Sequence, residues 1–577
     1  MRRILISLCA AALSAAASAQ SLDAADYIYP IRGVDGSCSA NFGEMRPGHF
    51  HGGVDIRTGG SEGKALVAVA DGYVSRIYLA PGGYGRAVYL TLNNGTTAVY
   101  GHLQRFRDDI EQYVRRERYA RRANRLDLYF GAETWPVRQG EVIGYSGNSG
   151  SSMGPHLHFE LRDTPTQRLY NPVREGIVRP TDSLPPLIRK IHYVEVDTVR
   201  GSGVCLRSAA TSCETASEGS GRYRLARTGP LAVGRRGYFV AEVSDRRNGV
   251  HNTFGIWRLT AWVDGECCFE YRMDGFTFDH SRCCDAVSCY PLQLHSRNEC
   301  IRLAQLEAAP DCFYAAMLER GLVRTRPGQT RRIRIEAEDD SGNVSQLEFD
   351  VRGREGEFRA EADSAATVVR PRSASTVALG RELSARIPAG AVYEPLYCRP
   401  ERTAAPRVDT GVVVLSPAYR IFPATTPLRS AMTVAIRTEV PQRLQLRASL
   451  AVRTAKGRAA YVGGSYGDGA VSAKTTSTGE LFVVADTLAP RIVPQFKPGA
   501  DLSRASSLRF GVSDNFSGIA SVSLTVDGRW VPADRYPMQG RLVHTFDAPP
   551  SGSVHRAELT VSDAAGNTAR WEGAFYR

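Results

Sequence analysis

A pattern of segments that occurs twice restricts the second half of the chain to a repeated β-fold. Both copies hold the same four segments in the same order. With the first copy given before the second, these are DSLPP (182–186) and DTLAP (486–490), YFVAEVSD (238–245) and LRFGVSD (508–514), GIWRLTAWVDG (255–265) and GIASVSLTVDG (518–528), and EDDSGN (338–343) and VSDAAGN (561–567). Strand-like runs between Gly- and Asn-based turns predict one β-sandwich module used twice.

These two modules resemble the immunoglobulin-like or fibronectin-like accessory domains of bacterial surface proteins. The resemblance implies β-sandwich domains at 181–352, which carries a cysteine-rich insertion, and at 486–577. Residues 353–485 predict a further β-rich domain, whose most distinctive run is SARIPAGAVYEP (384–395). Neither kind of unit shows a catalytic constellation, so the sequence constrains their function only weakly.

The N-terminus has the pattern of a secretory signal peptide. Arg2 and Arg3 precede a short apolar run at 4–13, and Ala17-Ser18-Ala19 supplies small residues for cleavage before Gln20. Residues 1–19 are therefore the predicted signal peptide, and 20–45 a lead into the first domain. No later segment has about 18 uninterrupted apolar residues. The sequence predicts an exported protein, periplasmic or extracellular and associated with the cell surface, without a transmembrane segment.

Length and charge narrow the function classes. The 577 residues, 43% of them hydrophobic and 23% charged, fit several globular domains rather than a disordered chain. The net charge of +12 suits an acidic polymer as partner. Export favours anionic wall or surface polymers over nucleic acid, and the alternative is that the charge only aids solubility.

The twelve cysteines become eleven once the signal peptide is removed, and seven of them lie between Cys267 and Cys312. In an exported chain this pattern predicts a disulfide framework, with one thiol left over and a connectivity that cannot be read. The adjacent pairs at 267–268 and 283–284 leave a zinc knot as the alternative, but no histidines stand at ligand-like spacing among them.

The first domain, 46–180, has five of the eleven histidines among short β-type runs closed by turn residues, which predicts an antiparallel sheet. The segment 105–125, RFRDDIEQYVRRERYARRANR, departs from this pattern with eight arginines and four acids at helical spacing. It predicts an exposed helical insertion, within about 105–130. Its charges form either a solvated face or a lip that contacts an anionic substrate.

The chemistry-bearing residues of this domain lie in two motifs. In GPHLHFE (154–160), His156 and His158 are two residues apart and project from the same face of a strand. In HFHGGVDI (49–56), His51 and Asp55 flank two glycines that allow the backbone to approach an ion closely. Two imidazoles and one carboxylate form a common catalytic zinc set. His102 supplies a further imidazole that need not be a ligand, and two half-buried strand histidines are the alternative for an isolated HxH.

Together these residues resemble the lysostaphin/LytM-type zinc metallopeptidases, which cut peptide cross-links of bacterial cell walls. The resemblance covers about 46–175. The matching motifs are collinear: HGGVD, VAVADGYV (67–74), GGYG (82–85), VYGHL (99–103) and GEVIGYSGNSGSSMGPHLHFELRD (140–163). The arginine-rich insertion after His102 departs from the family pattern and leaves the shape of one groove wall open.

The resemblance implies a role for each of the site residues. His51, Asp55 and His158 match the ligands of one Zn²⁺ per chain, while His102 and His156 match two catalytic histidines. One of these two is the general base and the other stabilises the oxyanion or protonates the leaving amine, and the sequence does not divide the two tasks. Tyr84 matches a family position that lines the substrate groove. His49 lies outside the family pattern and is a neighbour of the site, and Glu160, on the strand face of His156 and His158, either orients a ligand or has a structural role.

The predicted function is that of an exported zinc metalloendopeptidase acting on peptidoglycan stem peptides or cross-bridges through zinc-activated water. Two alternatives come from other classes of protein. The domain could be a non-catalytic regulator of wall hydrolases, or the chain could be a wall-binding or adhesion protein with a vestigial peptidase domain. Retention of all five site residues favours catalysis.

Overall fold

The computed structural model describes residues 22–404, 406–454 and 457–577, so the predicted signal peptide lies outside the described residues. Strands make up most of the regular structure, which confirms the predicted mainly-β class. Among the described residues, no helix combines the length and the apolar content needed to cross a membrane.

The histidine-rich segment forms one large antiparallel sheet. Its strands are, in spatial order, Cys38–Ala40, Val54–Arg57, His156–Asp163, Thr96–Gly101, Arg86–Leu92, Gly72–Leu79 and Leu126–Tyr129. Pro136–Val137 pairs with Gly72–Leu79, and Leu169–Tyr170 pairs with His156–Asp163. Every residue of Thr96–Gly101 is buried. A strand covered on both faces in this way can orient side chains rigidly.

Two small sheets complete this part of the chain. Ala65–Val67, Val142–Tyr145 and Arg105–Phe106 form a three-stranded sheet, and Met45–Arg46 pairs with His49–Phe50 in a hairpin. The three-stranded sheet lies next to the loops that follow His102, because the Gln104 amide donates to the Tyr145 carbonyl oxygen at 2.9 Å.

The predicted insertion is a helix over Asp108–Arg121. Asp108, Asp109 and Glu111 occupy its first turn and two arginines its last, which complements the helix dipole. Ile110 and Val114 are buried against the core. We call this element the insertion helix.

The insertion helix is exposed on one face, as its charge pattern predicts, but its other face is covered. It packs against the C-terminal module: Arg118, whose side chain is 7% exposed, lies 2.9 Å from Asp534, and Arg115 lies 3.3 Å from Asp547. The Tyr119 ring packs edge-on against Trp530 with 6.1 Å between ring centroids. The arginines thus pair with carboxylates more than 400 residues away, a contact that no local pattern encodes.

The first β module contains a thirteen-stranded arrangement. Along its main path the strands are Glu299–Arg302, Arg236–Ser244, Leu187–Thr198, Thr211–Gly219, Arg222–Leu225, Val344–Gly353, Thr330–Glu338, Arg258–Val263, Glu266–Arg272 and Tyr314–Met317. Three short strands pair at its sides: Cys205–Arg207, Leu231–Val233 and Val323–Arg324. The cysteine-rich insertion holds three one-turn helices, Phe278–Ser281, Cys284–Val287 and Tyr290–Gln293.

The middle segment is also all β. A five-stranded sheet is formed by Ser375–Leu379, Leu383–Ile387, Met432–Arg437, Ala470–Thr475 and Ser465–Gly467. A six-stranded sheet is formed by Glu401–Thr403, Ala418–Arg420, Glu480–Asp486, Ala448–Arg453, Ala459–Gly463 and Val412–Val414. Thr367–Val369 pairs with Leu396–Cys398.

The C-terminal module is two four-stranded sheets. One contains Arg491–Pro494, Ser507–Ser513, Arg541–Thr545 and Asp534–Tyr536, and the other contains Arg529–Val531, Ile519–Val526, Val554–Asp563 and Thr568–Tyr576. Their inner faces meet in a separate core. The two-sheet arrangement agrees with the sandwich predicted from the repeat.

The histidine-rich segment and the first β module share one hydrophobic core. Phe42 and Phe50 contact Phe276 with ring centroids 5.3 and 5.6 Å apart, and Phe50 also contacts Phe313 at 5.1 Å. Gly275–Phe276 pairs directly with Leu169–Tyr170, which joins the two sheets through backbone hydrogen bonds. The first module is therefore packed onto the histidine-rich segment as part of one folded body.

The predicted disulfide framework is not formed in this structure. The eleven cysteines of the described residues are free thiols, and seven are buried: 38, 268, 283, 284, 289, 300 and 398. Buried thiols pack as small apolar groups. Burial raises the pKa of Cys38 to about 12, and likewise that of Cys398. The cysteines therefore contribute to the cores as side chains rather than as cross-links.

We expect Asp534→Asn to weaken the attachment of the C-terminal module. Asp534 accepts from Arg118 and also lies 3.4 Å from Arg86, so its loss leaves two buried guanidinium groups short of a partner. The expected cost is about 1–3 kcal/mol. Urea denaturation followed by tryptophan fluorescence measures it, because Trp530 lies at this contact. The control Glu558→Gln removes a 55% exposed carboxylate from the same module and should cost below about 0.5 kcal/mol. Equal midpoints for both variants would contradict the assignment.

Candidate metal centre and active site

Backbone pairing brings the two predicted motifs together. His156–Asp163 pairs antiparallel with Val54–Arg57, and in this register His158 is opposite Asp55. His51 precedes that strand at a turn containing two glycines. A side chain at Gly53 would place its Cβ 2.3 Å from the Phe159 carbonyl oxygen. Glycine at 53 is therefore required for the turn to lie against the strand that carries His158.

Three donor atoms converge at this point. His51 Nε2 lies 3.1 Å from Asp55 Oδ1 and 3.0 Å from His158 Nδ1, and the distance between His158 Nδ1 and Asp55 Oδ1 is 2.8 Å. All three residues are buried, with 2%, 6% and 5% of their surface exposed. The structure thus brings together the three residues that the resemblance implies as metal ligands.

The outer atom of each converging side chain has its own partner. His51 Nδ1 donates to the Asn41 carbonyl oxygen at 2.8 Å, which leaves the Nε2 lone pair facing inward. His158 Nε2 donates to Glu160 Oε1 at 2.8 Å, which leaves Nδ1 free. Arg46 donates to Asp55 Oδ2 at 2.8 Å and leaves Oδ1 free. These contacts fix the tautomers and aim three acceptors at one point.

The electrostatics of the centre favour charged carboxylates. Burial opposes the ionisation of Asp55, but His51 and His158 outweigh it and hold its pKa well below the usual range. Burial also opposes the ionisation of Glu160, and the charges and hydrogen bonds of Arg162 and His158 lower its pKa to about 2. For His158, burial is outweighed by Asp55 and Glu160, which raise the pKa to about 9. Positive charge is therefore favoured at this point.

The two histidines that the resemblance implies as catalytic lie beside the three converging atoms. His102 Nδ1 donates to the Ser149 carbonyl oxygen at 2.8 Å, and His156 Nδ1 to the Gly154 carbonyl oxygen at 2.8 Å. Their ring centroids are 4.7 Å apart, and His156 Nε2 is 3.6 Å from Asp55 Oδ1. Both rings therefore hold a fixed Nδ1–H and present Nε2 to the site.

Both of these imidazoles are held in the neutral form. Burial, followed by the neighbouring His156 and His158, lowers the pKa of His102 to about 3. Burial likewise lowers the pKa of His156. His102 also has a positive φ of 63°, a conformation that a hydrogen bond from its amide to the Tyr84 carbonyl oxygen stabilises at 2.8 Å. A neutral, preoriented imidazole is able to accept a proton at Nε2.

Two of the three further residues singled out in the sequence, Tyr84 and Glu160, lie next to His158, and the third, His49, does not. Glu160 accepts a hydrogen bond from His158 Nε2 and a further one from the Tyr84 hydroxyl at 2.6 Å. The Tyr84 ring lies 5.3 Å from the His158 ring. His49 is exposed and contacts the Pro47 carbonyl oxygen at 3.2 Å. Within the described residues it makes no hydrogen bond to the three converging side chains.

Sequence reasoning missed the groups that hold the site residues in place. Arg46, the Asn41 carbonyl and the carbonyls of Ser149 and Gly154 all act through backbone geometry or long-range contact. Arg46 lies in the short hairpin that contains His49, close in sequence to the HFHGGVDI motif. The carbonyl contacts have no side-chain signature in the sequence.

Part of the chain matches a known family model outside this site. Residues 372–486 match the model of the Zu5-like domain. This range falls almost entirely within the segment 353–485, which the sequence predicts as a separate β-rich domain without naming it. The domain boundaries of the chain remain predictions.

Two curated proteins with peptidase names are similar to about a fifth of the chain. An uncharacterized metalloprotease of Haemophilus influenzae is 34% identical over 119 residues, which cover 21% of this chain and 19% of that protein. The DD-carboxypeptidase/endopeptidase Mpg of Neisseria meningitidis serogroup B is 34% identical over 113 residues, 20% of each chain. The matched stretch is a metallopeptidase homologue. The predicted resemblance to metallopeptidases is confirmed, although this stretch spans only about a fifth of each relative.

Solved structures give similar matches. The catalytic domain of the prophage-encoded M23 protein EnpA from Enterococcus faecalis is 25% identical, covering 25% of this chain and 95% of that one, with a TM-score of 0.19. The catalytic domain of lysostaphin from Staphylococcus simulans is 22% identical, covering 23% of this chain and 85% of that one, with a TM-score of 0.17.

The donor set of this metallopeptidase homologue fits zinc. Two imidazole nitrogens and one carboxylate oxygen are ligands that Zn²⁺ binds at about 2.0–2.2 Å, which separates the donors of a tetrahedral site by about 3.4 Å. The three observed separations, 2.8 to 3.1 Å, are slightly shorter than this value. A metal is therefore indicated by the chemistry of the residues themselves.

We expect Arg46→Ala to weaken zinc binding without removing a ligand. Arg46 fixes the carboxylate of Asp55 through Oδ2, and loss of such a partner typically lowers metal affinity by about 10–100-fold. Competition with a chelating dye measures the affinity. Arg46→Lys should restore part of it. Arg32→Ala removes an exposed guanidinium that contacts the Gly140 carbonyl oxygen, and an equal loss of affinity in this control would contradict the role of Arg46.

Proposed function

We propose that the protein is an exported zinc metalloendopeptidase that hydrolyses peptide bonds in peptidoglycan stem peptides or cross-bridges. The observation that carries the proposal is the convergence of His51 Nε2, Asp55 Oδ1 and His158 Nδ1 within 3.1 Å, with His102 and His156 beside them. The relative named DD-carboxypeptidase/endopeptidase supports a peptide as the substrate. Its work would take place in the periplasm or at the cell surface.

The ligand roles follow from the orientation of each donor. His51, Asp55 and His158 would hold Zn²⁺, and Asn41, Arg46 and Glu160 would keep the three donors aimed. When bound, zinc supplies Lewis acidity that polarises a carbonyl group and makes water more acidic. A single ion per chain accounts for the three donors of this site.

Proton transfer falls to the remaining pair of imidazoles. His102 and His156 are fixed by carbonyl oxygens through Nδ1, so each can take or give a proton at Nε2 alone. One of them would remove a proton from the attacking water, and the other would stabilise the oxyanion or protonate the leaving amine. His156 is half-buried and His102 buried.

The accessory modules fit the same proposal. The order of segments would be a peptidase domain at 46–180, a first β module, a Zu5-like middle domain and a C-terminal module. The net charge of +12 would favour contact with anionic wall polymers around the substrate. Non-covalent contact of this kind weakens as salt is raised, which distinguishes it from binding through the site itself.

The zinc assignment predicts that His158→Ala loses the metal together with activity. Removal of one of three ligands should lower bound zinc from about one per chain to near none, since a third donor completes the site. Metal content is measured by mass spectrometry, and activity by the release of new amino groups from purified peptidoglycan. His251→Ala removes an exposed histidine of the first module and should retain both. Wild-type protein that holds zinc but cleaves no wall of any chemotype would contradict the proposed substrate.

The catalytic assignment predicts a different outcome for His156→Ala. This variant should keep about one zinc per chain while the rate of cleavage falls by about 10²–10⁴-fold, the usual contribution of a general acid or base. Loss of zinc in parallel with activity would instead make His156 part of the metal site. Zinc content and initial rate on the same preparation separate the two outcomes.

A further inference from the structure

Each of the two β modules brings three aspartates together at equivalent positions of the repeat. In the first module these are Asp182, Asp245 and Asp339, and in the C-terminal module they are Asp486, Asp514 and Asp563. In both modules, one carboxylate oxygen from each residue lies within 4.8 Å of the others. We call these the first and second aspartate clusters. Neither cluster belongs to the metallopeptidase homologue or to its site.

The first aspartate cluster contains carboxylate oxygens that are buried and have no partner. Asp245 is 0% exposed, and neither of its carboxylate oxygens accepts a hydrogen bond from any described residue. The side chain of Asp182 is also 0% exposed, and its Oδ2 likewise has no hydrogen-bond donor among the described residues. An ionised buried carboxylate without a donor or a cation is strongly unfavourable, so these oxygens are either protonated or paired with a cation.

Burial and the neighbouring carboxylates oppose ionisation of the first aspartate cluster. Burial, followed by the charges of Asp339 and Asp182, raises the pKa of Asp245 to about 9. Burial also raises the pKa of Asp182 to about 6. Three carboxylates at this spacing repel one another when ionised. A bound cation removes both the repulsion and the cost of burial.

The nearest arginine does not satisfy these oxygens. Arg247 donates through Nη2 to both carboxylate oxygens of Asp340, at 2.6 and 2.7 Å, and its Nε remains 3.9 Å from Asp182 Oδ2. Phe516 and Ala564 occupy the positions of Arg247 and Asp340 in the second copy of the repeat. The Arg247–Asp340 ion pair thus occurs in the first module alone, and its two charges neutralise each other. The three aspartates are common to both modules.

One aspartate of each cluster is held by the same loop. Asp339 accepts from the Asn343 amide at 2.9 Å and from its side-chain nitrogen at 2.8 Å. Asp563 accepts from the Asn567 amide and side-chain nitrogen, both at 2.8 Å. Each of these two carboxylates is fixed in position by two donors while keeping acceptor capacity for a further partner.

The second aspartate cluster also has an oxygen without a hydrogen-bond partner, although its Asp514 is half-buried rather than fully buried. Asp514 Oδ1 and the Ser517 hydroxyl are buried atoms with no hydrogen-bond partner among the described residues. Asp486 Oδ2 accepts from the Ser517 amide at 3.1 Å, and Asp514 Oδ2 accepts from the Gly518 amide at 2.7 Å. The second cluster thus also contains a buried carboxylate oxygen that has no hydrogen-bond partner among the described residues.

We propose that each β module binds one calcium ion, or a similarly hard divalent cation, through its aspartate cluster. Calcium binds carboxylate, hydroxyl and carbonyl oxygens at about 2.3–2.6 Å, so two of its ligands are separated by at most about 5 Å. The oxygens of each cluster lie within that span. No cysteine or histidine belongs to either cluster, so the sites differ in chemistry from the zinc donor set.

The position of the clusters gives the cation a structural task. Asp182 and Asp486 stand where each module joins the preceding part of the chain, and the other two aspartates of each cluster stand at or just after strand ends within the module. In the C-terminal module the loop that follows Asp563 also contacts the middle segment: Asn567 donates to the Asp486 carbonyl oxygen at 3.1 Å, and Tyr461 to the Ala564 carbonyl oxygen at 3.2 Å. A cation at each cluster ties the entry of a module to its own loops and fixes the junction.

Calcium titration of the full chain by calorimetry, in zinc-containing and calcium-free buffer, tests the proposal. Two separate clusters predict about two calcium ions per wild-type chain, about one in Asp245→Asn or Asp514→Asn, and none in the double variant, because the amide removes a charged ligand. Glu133→Gln, which removes an exposed carboxylate outside both modules, should keep the wild-type stoichiometry. Wild-type protein that binds no calcium up to about 10 mM, beyond the range of extracellular calcium modules, overturns the proposal.

Thermal unfolding provides the second measurement and reveals a variant that is merely misfolded. Without calcium, Asp245→Asn should be at least as stable as wild type, since the amide replaces a buried carboxyl group that has no partner and that could otherwise ionise. With calcium, the unfolding temperature of wild type should rise with concentration and pass that of the variant. An Asp245→Asn chain that unfolds earlier without calcium, or that gains as much from calcium as wild type, contradicts a cation at the first cluster.

Discussion

The antiparallel pairing of His156–Asp163 with Val54–Arg57 is the constraint on which the candidate active site depends. Its register sets His158 opposite Asp55 on one side and opposite Gly101 on the other. A slip of one residue would turn both side chains to the opposite face of the sheet. Gly53 and Gly101 permit this close arrangement, because a Cβ at Gly101 would lie 3.3 Å from both His158 and Tyr84.

Buried carboxylates have basic partners in one part of the molecule and lack them in another. In the metallopeptidase homologue, Asp55 has Arg46 and Glu160 has Arg162, so each acid holds a basic partner while one oxygen of Asp55 stays free. In the first β module, Asp245 has no such partner among the described residues. Removal of a compensating group from a buried ion pair is strongly destabilising, which is why the uncompensated acids point to an ion from solution.

The sequence predicts the centre of the site better than its surroundings. The alternation of a strand is enough to set His156 and His158 on one face, and the collinear motifs brought His51, Asp55 and His102 to the same domain. The partners of these residues could not be predicted, since the Asn41, Ser149 and Gly154 carbonyls are positioned by the path of the backbone. Mainly-β architecture and the repeated module followed from turn spacing. The equivalent aspartates were visible in the repeat, but their convergence depends on loops distant in sequence.

Long-range packing accounts for the main difference from the predicted fold. The arginines of the insertion helix have the composition of a solvated face, yet Arg118 is buried because the C-terminal module returns to cover it. Seven of the cysteines, expected to form cross-links, are instead buried as thiols. For Arg118, local composition gave the wrong environment, because its burial depends on a partner more than 400 residues away.

The return of the C-terminal module reaches the wall of the active site through a continuous set of contacts. Asp534 lies 3.4 Å from the guanidinium group of Arg86, and the backbone amide of Arg86 donates to Ser149 Oγ at 2.9 Å. The Ser149 carbonyl oxygen in turn accepts a hydrogen bond from His102 Nδ1. The segment that fixes the tautomer of His102 is therefore supported from behind by a residue of the last module. Because the Asp534–Arg86–Ser149 contacts are formed by buried or half-buried groups, the final hundred residues contribute to the rigidity of the site as well as to the stability of the chain.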